Sequence, residues 1–159
     1  MPKKSSQWKR IFKKAPPAPT DDMVRRWVKK RFNEALKYFL IDYVKLTIQF
    51  DDQSPYIDGE PAQRVVFNTK YTRRYHRASI TAYLPSVSSM YRTHREDLVE
   101  GIFHEIAHIH TTESDEIAQR RIISSNELRE SNESLTEIIA QYVIRDVRNR
   151  KEFDNLLKD

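Results

Sequence analysis

The chain of 159 residues contains no cysteine, which excludes disulfide bonds, thiolate metal ligands and cysteine nucleophiles. It also lacks an apolar run long enough for a transmembrane helix, which needs about 18 residues. Its amino-terminal sequence is charged and has no apolar segment of the kind found in secretory signals. These absences predict a cytoplasmic protein without disulfide cross-links.

The net charge of +5 is distributed unevenly. Residues 1–19 contain six lysines and arginines and no acidic residue, whereas the rest of the chain has 22 basic and 23 acidic side chains. We therefore assign the excess positive charge to an amino-terminal arm and expect the folded part to be nearly neutral.

The arm ends in a proline-rich stretch, which divides the chain into an arm, 1–19, and a domain, 20–159. Trp8, Ile11 and Phe12 have the spacing of a short amphipathic helix that could bind a nucleic acid or a membrane surface. A disordered, solubilising arm is the other interpretation, and the sequence leaves both open.

Hydrophobic periodicity in the domain predicts the order helix, three strands, helix, helix. The expected bounds are a helix from Thr20 and Asp21 to about Leu40, strands at 43–50, 64–71 and 76–85, and helices starting before Asp97 and at 126 or 132. Pro85 is expected to end the third strand, and Thr93 and Glu96 to form a capping box. The apolar face of the last helix is predicted to contain Leu135, Ile138, Ile139, Tyr142, Val143 and Val147. This pattern indicates an α+β domain with a small sheet covered by helices.

The segment GIFHEIAHIHT, residues 101–111, contains three of the five histidines. His104 and His108 are four positions apart, so that on a helix both imidazoles face one point and suit a tetrahedral Zn²⁺. Glu105 lies about 100° around the helix, within reach of a metal-bound water. Because the surrounding residues are apolar, the helix is expected to be buried, and buried histidines need partners. We expect His110, about 200° from His108, to be structural or on the surface.

A carboxylate pair with the same spacing follows downstream. Glu133 and Glu137 are four residues apart, so that one could complete a zinc site and the other could accept the free N–H of a ligating imidazole. A solvated acidic patch is the alternative interpretation of this pair. The polar segment 112–125 between the two motifs could be a lid or a plain connector.

The motif H-E-I-A-H, followed by N-E-x-x-x-E on the next helix, resembles the gluzincin branch of the zincin metallopeptidases. The chain is similar to the small forms in phage and prokaryotic proteins, and more distantly to ImmA/IrrE-type peptidases. The resemblance implies a zincin-like fold with a mostly antiparallel or mixed sheet of three to four strands. It does not extend to metzincins, which need Gly and His where this chain has Thr111 and Ser114.

The resemblance also implies the residue roles. The ligands of Zn²⁺ would be His104, His108 and Glu133, the general base Glu105, and the acid supporting a ligating histidine Glu137. The strand at 77–84 would border the cleft and pair with an extended peptide substrate, and its side chains Ser79, Thr81 and Tyr83 would contact that substrate. The expected activity is zinc-dependent hydrolysis of peptide bonds, with Glu105 activating a zinc-bound water.

Two other functions remain open on the sequence. One is a zinc-binding domain without proteolytic activity, because no residue is clearly placed to stabilise an oxyanion; His110, Tyr142, Arg145 and Arg148 are the candidates. The other is a nucleic-acid or virion-associated module that acts through the basic arm.

Overall fold

The computed structural model describes residues 19–41, 43–53, 56–57, 60–61, 65–72, 75–119 and 125–159. The predicted arm therefore lies outside the described residues, apart from Pro19. The helices are α1 (Asp21–Tyr38), α2 (Leu84–Thr93), α3 (Arg95–Gln119), α4 (Ser125–Asn149) and α5 (Phe153–Leu156). The strands are β1 (Lys45–Asp51), β2 (Tyr56–Ile57), β3 (Glu60–Pro61), β4 (Phe67–Thr72) and β5 (Arg77–Tyr83). The architecture is α+β, as predicted, with five helices and a small mixed sheet in the described part.

Helix α1 begins where the sequence predicts. The Thr20 hydroxyl accepts a hydrogen bond from the amide of Met23, which satisfies one of the free N–H groups at the helix start. The apolar residues that recur at helical spacing along this segment are all buried: Val24, Trp27, Val28, Ala35, Leu36 and Phe39. Burial of these residues fixes α1 against the rest of the core.

The main sheet has the strand order β1-β5-β4. Strand β5 is parallel to β1 and antiparallel to β4, so that the sheet is mixed. Ala78, Ile80 and Ala82 of β5 are at most 2% exposed and face the helices, which confirms the predicted alternation. Strands β2 and β3 form a separate antiparallel pair between the first two predicted strands, where the sequence analysis predicts no strand.

The helix α2 was not predicted. Leu84 and Pro85 are its first residues, so that Pro85 starts a helix instead of only ending a strand. The capping box is wrong as well: Thr93 belongs to the last turn of α2, and its hydroxyl donates to the carbonyl of Ser89. The following helix, α3, nevertheless begins at Arg95, close to the predicted start.

Helices α3 and α4 pack against each other and carry the two predicted motifs. Helix α3 continues to Gln119, so that much of the polar segment 112–125 is helical. From Arg129 onwards, the buried residues of α4 are Asn132, Thr136, Ala140, Ile144 and Val147. The predicted apolar face is therefore wrong in part, since Leu135, Ile138 and Tyr142 are 40%, 66% and 65% exposed.

Candidate metal centre

His104 and His108 lie one turn apart on α3, with ring centroids separated by 4.7 Å and ring planes at 86°. The neighbouring residues Phe103, Ile106 and Ala107 are at most 1% exposed and fix the rotation of the helix. Because the apolar side faces the core, both half-buried imidazoles are directed towards α4.

Glu133 supplies a carboxylate from α4. Its two oxygens lie 3.6 Å from Nε2 of His104 and 3.7 Å from Nε2 of His108. One donor atom from each of the three residues can be chosen so that all lie within 4.8 Å of one another. Zinc bound to imidazole nitrogens at about 2.0–2.1 Å in a tetrahedron needs donors about 3.4 Å apart. The two-histidine, one-carboxylate set thus fits such an ion in donor type and nearly in spacing, and could hold one.

The second ring nitrogen of His104 contacts the other predicted acid. Nδ1 of His104 lies 3.1 Å from Oε2 of Glu137, whose other oxygen accepts a hydrogen bond of 2.9 Å from Gln141. A carboxylate that accepts the Nδ1–H of an imidazole leaves the Nε2 lone pair free for a metal. This is the contact that the sequence predicts for Glu137.

His108 has a hydroxyl partner that the sequence analysis missed. Its Nδ1 lies 3.4 Å from Oγ1 of Thr136, which lies 2.8 Å from Oγ1 of Thr111. The Thr111 hydroxyl in turn donates to the backbone carbonyl of His108 over 3.2 Å. Thr136 is 0% and Thr111 1% exposed, so that water does not reach these groups.

The direction of this hydroxyl chain favours one tautomer of His108. If Nδ1–H donates to Thr136, the Thr136 hydroxyl can donate to Thr111, and the Thr111 hydroxyl to the His108 carbonyl, which uses all three contacts. In the reverse direction, the Thr111 hydroxyl donates to Thr136, so that its hydrogen bond to the His108 carbonyl is lost. The chain therefore stabilises the tautomer whose Nε2 faces Glu133 without a proton.

A weak sequence signal for these threonines exists. Thr111 and Thr136 each lie three residues after a predicted ligand on the same helix, where i and i+3 are neighbours. Their pairing across two helices has no local signature.

Glu105 points from α3 to the sheet. Its Oε2 accepts a hydrogen bond of 2.6 Å from the hydroxyl of Thr69 on β4, a contact with no sequence signal. Burial raises the pKa of Glu105 above its ordinary value, while the bond from Thr69 and the imidazoles of His108 and His104 act in the opposite direction. A carboxylate held in this way is a stronger base than one in water.

The expectation for the strand at 77–84 is wrong. Strand β5 is the central strand, paired with β1 on one side and β4 on the other, so that no peptide can add to its edge. Ser79, Thr81 and Tyr83 alternate with the helix-facing residues and lie on the opposite face of the sheet from Thr69 and Glu105. The prediction fails because the alternation of apolar and polar residues along a strand does not encode the order of the strands in the sheet.

The four candidates for stabilising an oxyanion have other contacts. His110 is exposed, and its ring lies 5.8 Å from that of Phe39. Arg148 binds carboxylates of α3 at 2.6 Å, those of Glu96 and Glu100. Tyr142 is exposed, and the guanidinium of Arg145 lies 5.4 Å from its ring centroid.

No protein-family model, curated protein or solved structure matches this chain. No helix in the described part is both long and apolar enough to cross a membrane.

Proposed function

We propose that this chain is a zinc-dependent peptidase with a zincin-like, gluzincin-type site. The observation that carries the proposal is the convergence of two imidazoles and a carboxylate from a neighbouring helix, with donor atoms within 4.8 Å. Glu105, next to one of these imidazoles in sequence, supplies a partly buried carboxylate. The resemblance of the two motifs to gluzincins supports the same conclusion.

His104, His108 and Glu133 would hold the ion. A zinc ion bound there would supply a Lewis acid that acidifies a water molecule and polarises the carbonyl to be attacked. Glu137 and Thr136 keep the two imidazoles in the orientation and tautomer that this binding requires, each through an Nδ1 contact.

Glu105 would act as the general base. The Thr69 hydroxyl occupies Oε2, which leaves Oε1 to accept a proton from the attacking water. Its raised pKa suits both steps: accepting that proton, and delivering it to the nitrogen of the leaving amine.

Strand β4 would position the substrate in place of β5. Within the described sheet, β4 is paired on one side only, and Thr69 on this strand contacts the base. An extended peptide added to that edge would run past Glu105.

The experiment compares three variants with the wild type. We expect Glu105→Gln to bind one zinc ion per chain and to cleave no peptide, since only the base is lost. His104→Gln should lose the metal, and His110→Gln, the matched control, should keep both properties. Elemental analysis measures the metal, and mass spectrometry of a digested peptide library measures cleavage. Full activity of Glu105→Gln, or wild-type protein free of metal after zinc loading, would contradict the proposal.

A metal-binding domain without proteolysis is the second candidate. It is favoured by the contacts of His110, Tyr142, Arg145 and Arg148, which engage other residues. Capture with Glu105→Gln separates the two functions. A peptidase should hold a peptide that the wild type cleaves, whereas a binding domain should hold the same partner intact in both forms.

A further inference from the structure

The main sheet has a polar face that points away from the helices. The register places Lys45, Arg77 and Thr72 in one row across the strands and Thr47, Ser79 and Lys70 in the next. A third row contains Gln49, Thr81 and Asn68. These side chains are exposed or half-buried. We call these nine residues the outer sheet face.

The outer sheet face is cationic at one end. Lys45 and Arg77 are direct register partners, and Lys70 is a diagonal neighbour of Arg77, at about 7–8 Å between strand positions. Asp51 is six residues further along β1, about 20 Å away. Three cations thus lie close together on this end of the face, with the nearest acid of β1 at the opposite end.

The sequence reinforces this asymmetry. Residues 64–77 contain five lysines and arginines and no acidic residue. Averaging over the whole domain, which gives a nearly neutral charge, conceals this local excess. The cationic rows of β4 and β5 come from this stretch, so that a polyanion approaching them meets no carboxylate from the same strands.

Exposed aromatic rings border the cationic end. Tyr43 is 63% and Tyr75 58% exposed, and both lie beside the first residues of the parallel strands. The ring centroids of Tyr43 and His76 lie 5.4 Å apart, and the guanidinium of Arg77 lies 5.8 Å from the ring centroid of Tyr75. Exposed rings next to a cationic track are the combination on which unpaired bases stack.

We infer that the outer sheet face binds single-stranded nucleic acid, with Lys45, Lys70 and Arg77 contacting phosphates and Tyr43 and Tyr75 stacking on bases. This inference does not depend on the proposed peptidase, because the outer sheet face and the metal donors lie on opposite sides of the sheet. A single strand is favoured over a duplex because its bases are accessible to the rings.

The first test measures binding of a labelled single-stranded DNA to the full chain by fluorescence anisotropy, between about 50 and 200 mM salt. The variant K45Q/K70Q/R77Q should bind about tenfold more weakly or worse, and its salt slope should fall in magnitude by about 2, since each phosphate contact in a single strand contributes about 0.7. The matched control is K30Q/K37Q/R92Q, which removes the same charge from exposed helix positions. It should keep the affinity and slope of the wild type.

The second test addresses the rings. Y43A/Y75A should weaken single-strand binding at least about fivefold without changing the salt slope, because stacking releases no counterions. A duplex of the same sequence should bind more weakly than the single strand. Equal binding of duplex, single strand and polyglutamate would overturn the inference in favour of a general polyanion surface.

The remaining outcomes distinguish nucleic-acid binding by the outer sheet face from binding by the arm, and from any effect on the metal site. If the triple sheet variant binds like the wild type while neutralising the lysines and arginines of residues 1–19 abolishes binding, the inference is wrong. Zinc content should be the same in all these variants. Loss of DNA binding with zinc retained therefore supports the inference whether or not the protein proves to be a peptidase.

Discussion

Replacing Thr136 with valine tests whether the hydroxyl chain beneath His108 orients a metal ligand. Valine has nearly the same shape as threonine, so that the packing between α3 and α4 is retained and only the hydroxyl is lost. The Nδ1–H of His108 then has no acceptor in a place where Thr136 is 0% exposed, and water cannot replace it. We expect Thr136→Val to bind zinc more weakly than the wild type.

The size of the effect follows from the geometry. Loss of a hydrogen-bonding partner of a ligating histidine typically reduces metal affinity 10–100-fold. The distance of 3.4 Å between Nδ1 and Oγ1 is at the long end for a hydrogen bond, so that we expect the lower limit, about tenfold or 1.4 kcal/mol. The metal-free protein should also lose about 1–3 kcal/mol of unfolding free energy, because a buried donor is left unsatisfied.

The assay is a competition titration of zinc against a chromophoric chelator, with thermal denaturation of the metal-free proteins alongside. Thr136→Ser is the matched control, since it keeps the hydroxyl and loses only a methyl group. Nitrogen NMR of the metal-free wild type should show His108 protonated at Nδ1, and Thr136→Val should reduce that preference. Equal zinc affinity in Thr136→Val and the wild type would refute the orienting role. Equal losses in the serine and valine variants would assign the effect to packing.

Two further changes act on other parts of α3 and its contacts. Glu137→Gln should reduce zinc affinity about tenfold, because a neutral amide holds the His104 Nδ1–H less strongly than a carboxylate. The same chelator titration measures this affinity, and an unchanged value would show that the contact with Glu137 does not support metal binding. Gly101→Ala should stabilise the domain by about 0.5–1 kcal/mol and raise Tm by about 1–4 °C, because a Cβ there lies 3.7 Å from Phe67, an ordinary contact, and alanine favours a helix interior. A lower Tm would show that α3 and β4 are too close for a methyl group.

The elements that the sequence predicts correctly have local causes. The cap at Thr20 and the apolar alternation of Ala78, Ile80 and Ala82 are readable from neighbouring residues, since helix and strand periods differ. The same is true of His104 and His108, whose common direction requires only that the segment is helical. Local geometry was sufficient for half of the candidate metal centre.

The other half depends on tertiary packing. Glu133 reaches the imidazoles only because α4 lies against α3, and its selection rested on a resemblance between motifs. The position of β5 in the middle of the sheet is likewise a property of strand order, which explains why Ser79 and Thr81 were assigned to the wrong surface. Thr69 is another such case, since its contact with Glu105 joins a strand to a helix 36 residues later.

Helix α4 shows why hydrophobicity alone predicts a buried face that is wrong in part. It buries the polar side chain of Thr136 completely, whereas Ile138, about 200° away around the helix, is 66% exposed. Rotating α4 to bury Ile138 would expose Ala140, Ile144 and Val147, which lie on the side of Thr136 and are at most 1% exposed. The same rotation would remove Glu133 and Glu137 from the imidazoles and break the hydroxyl chain to His108. The orientation of α4 thus satisfies the polar contacts of the candidate metal centre and buries the apolar residues of its carboxyl-terminal half, while Ile138 remains in solvent.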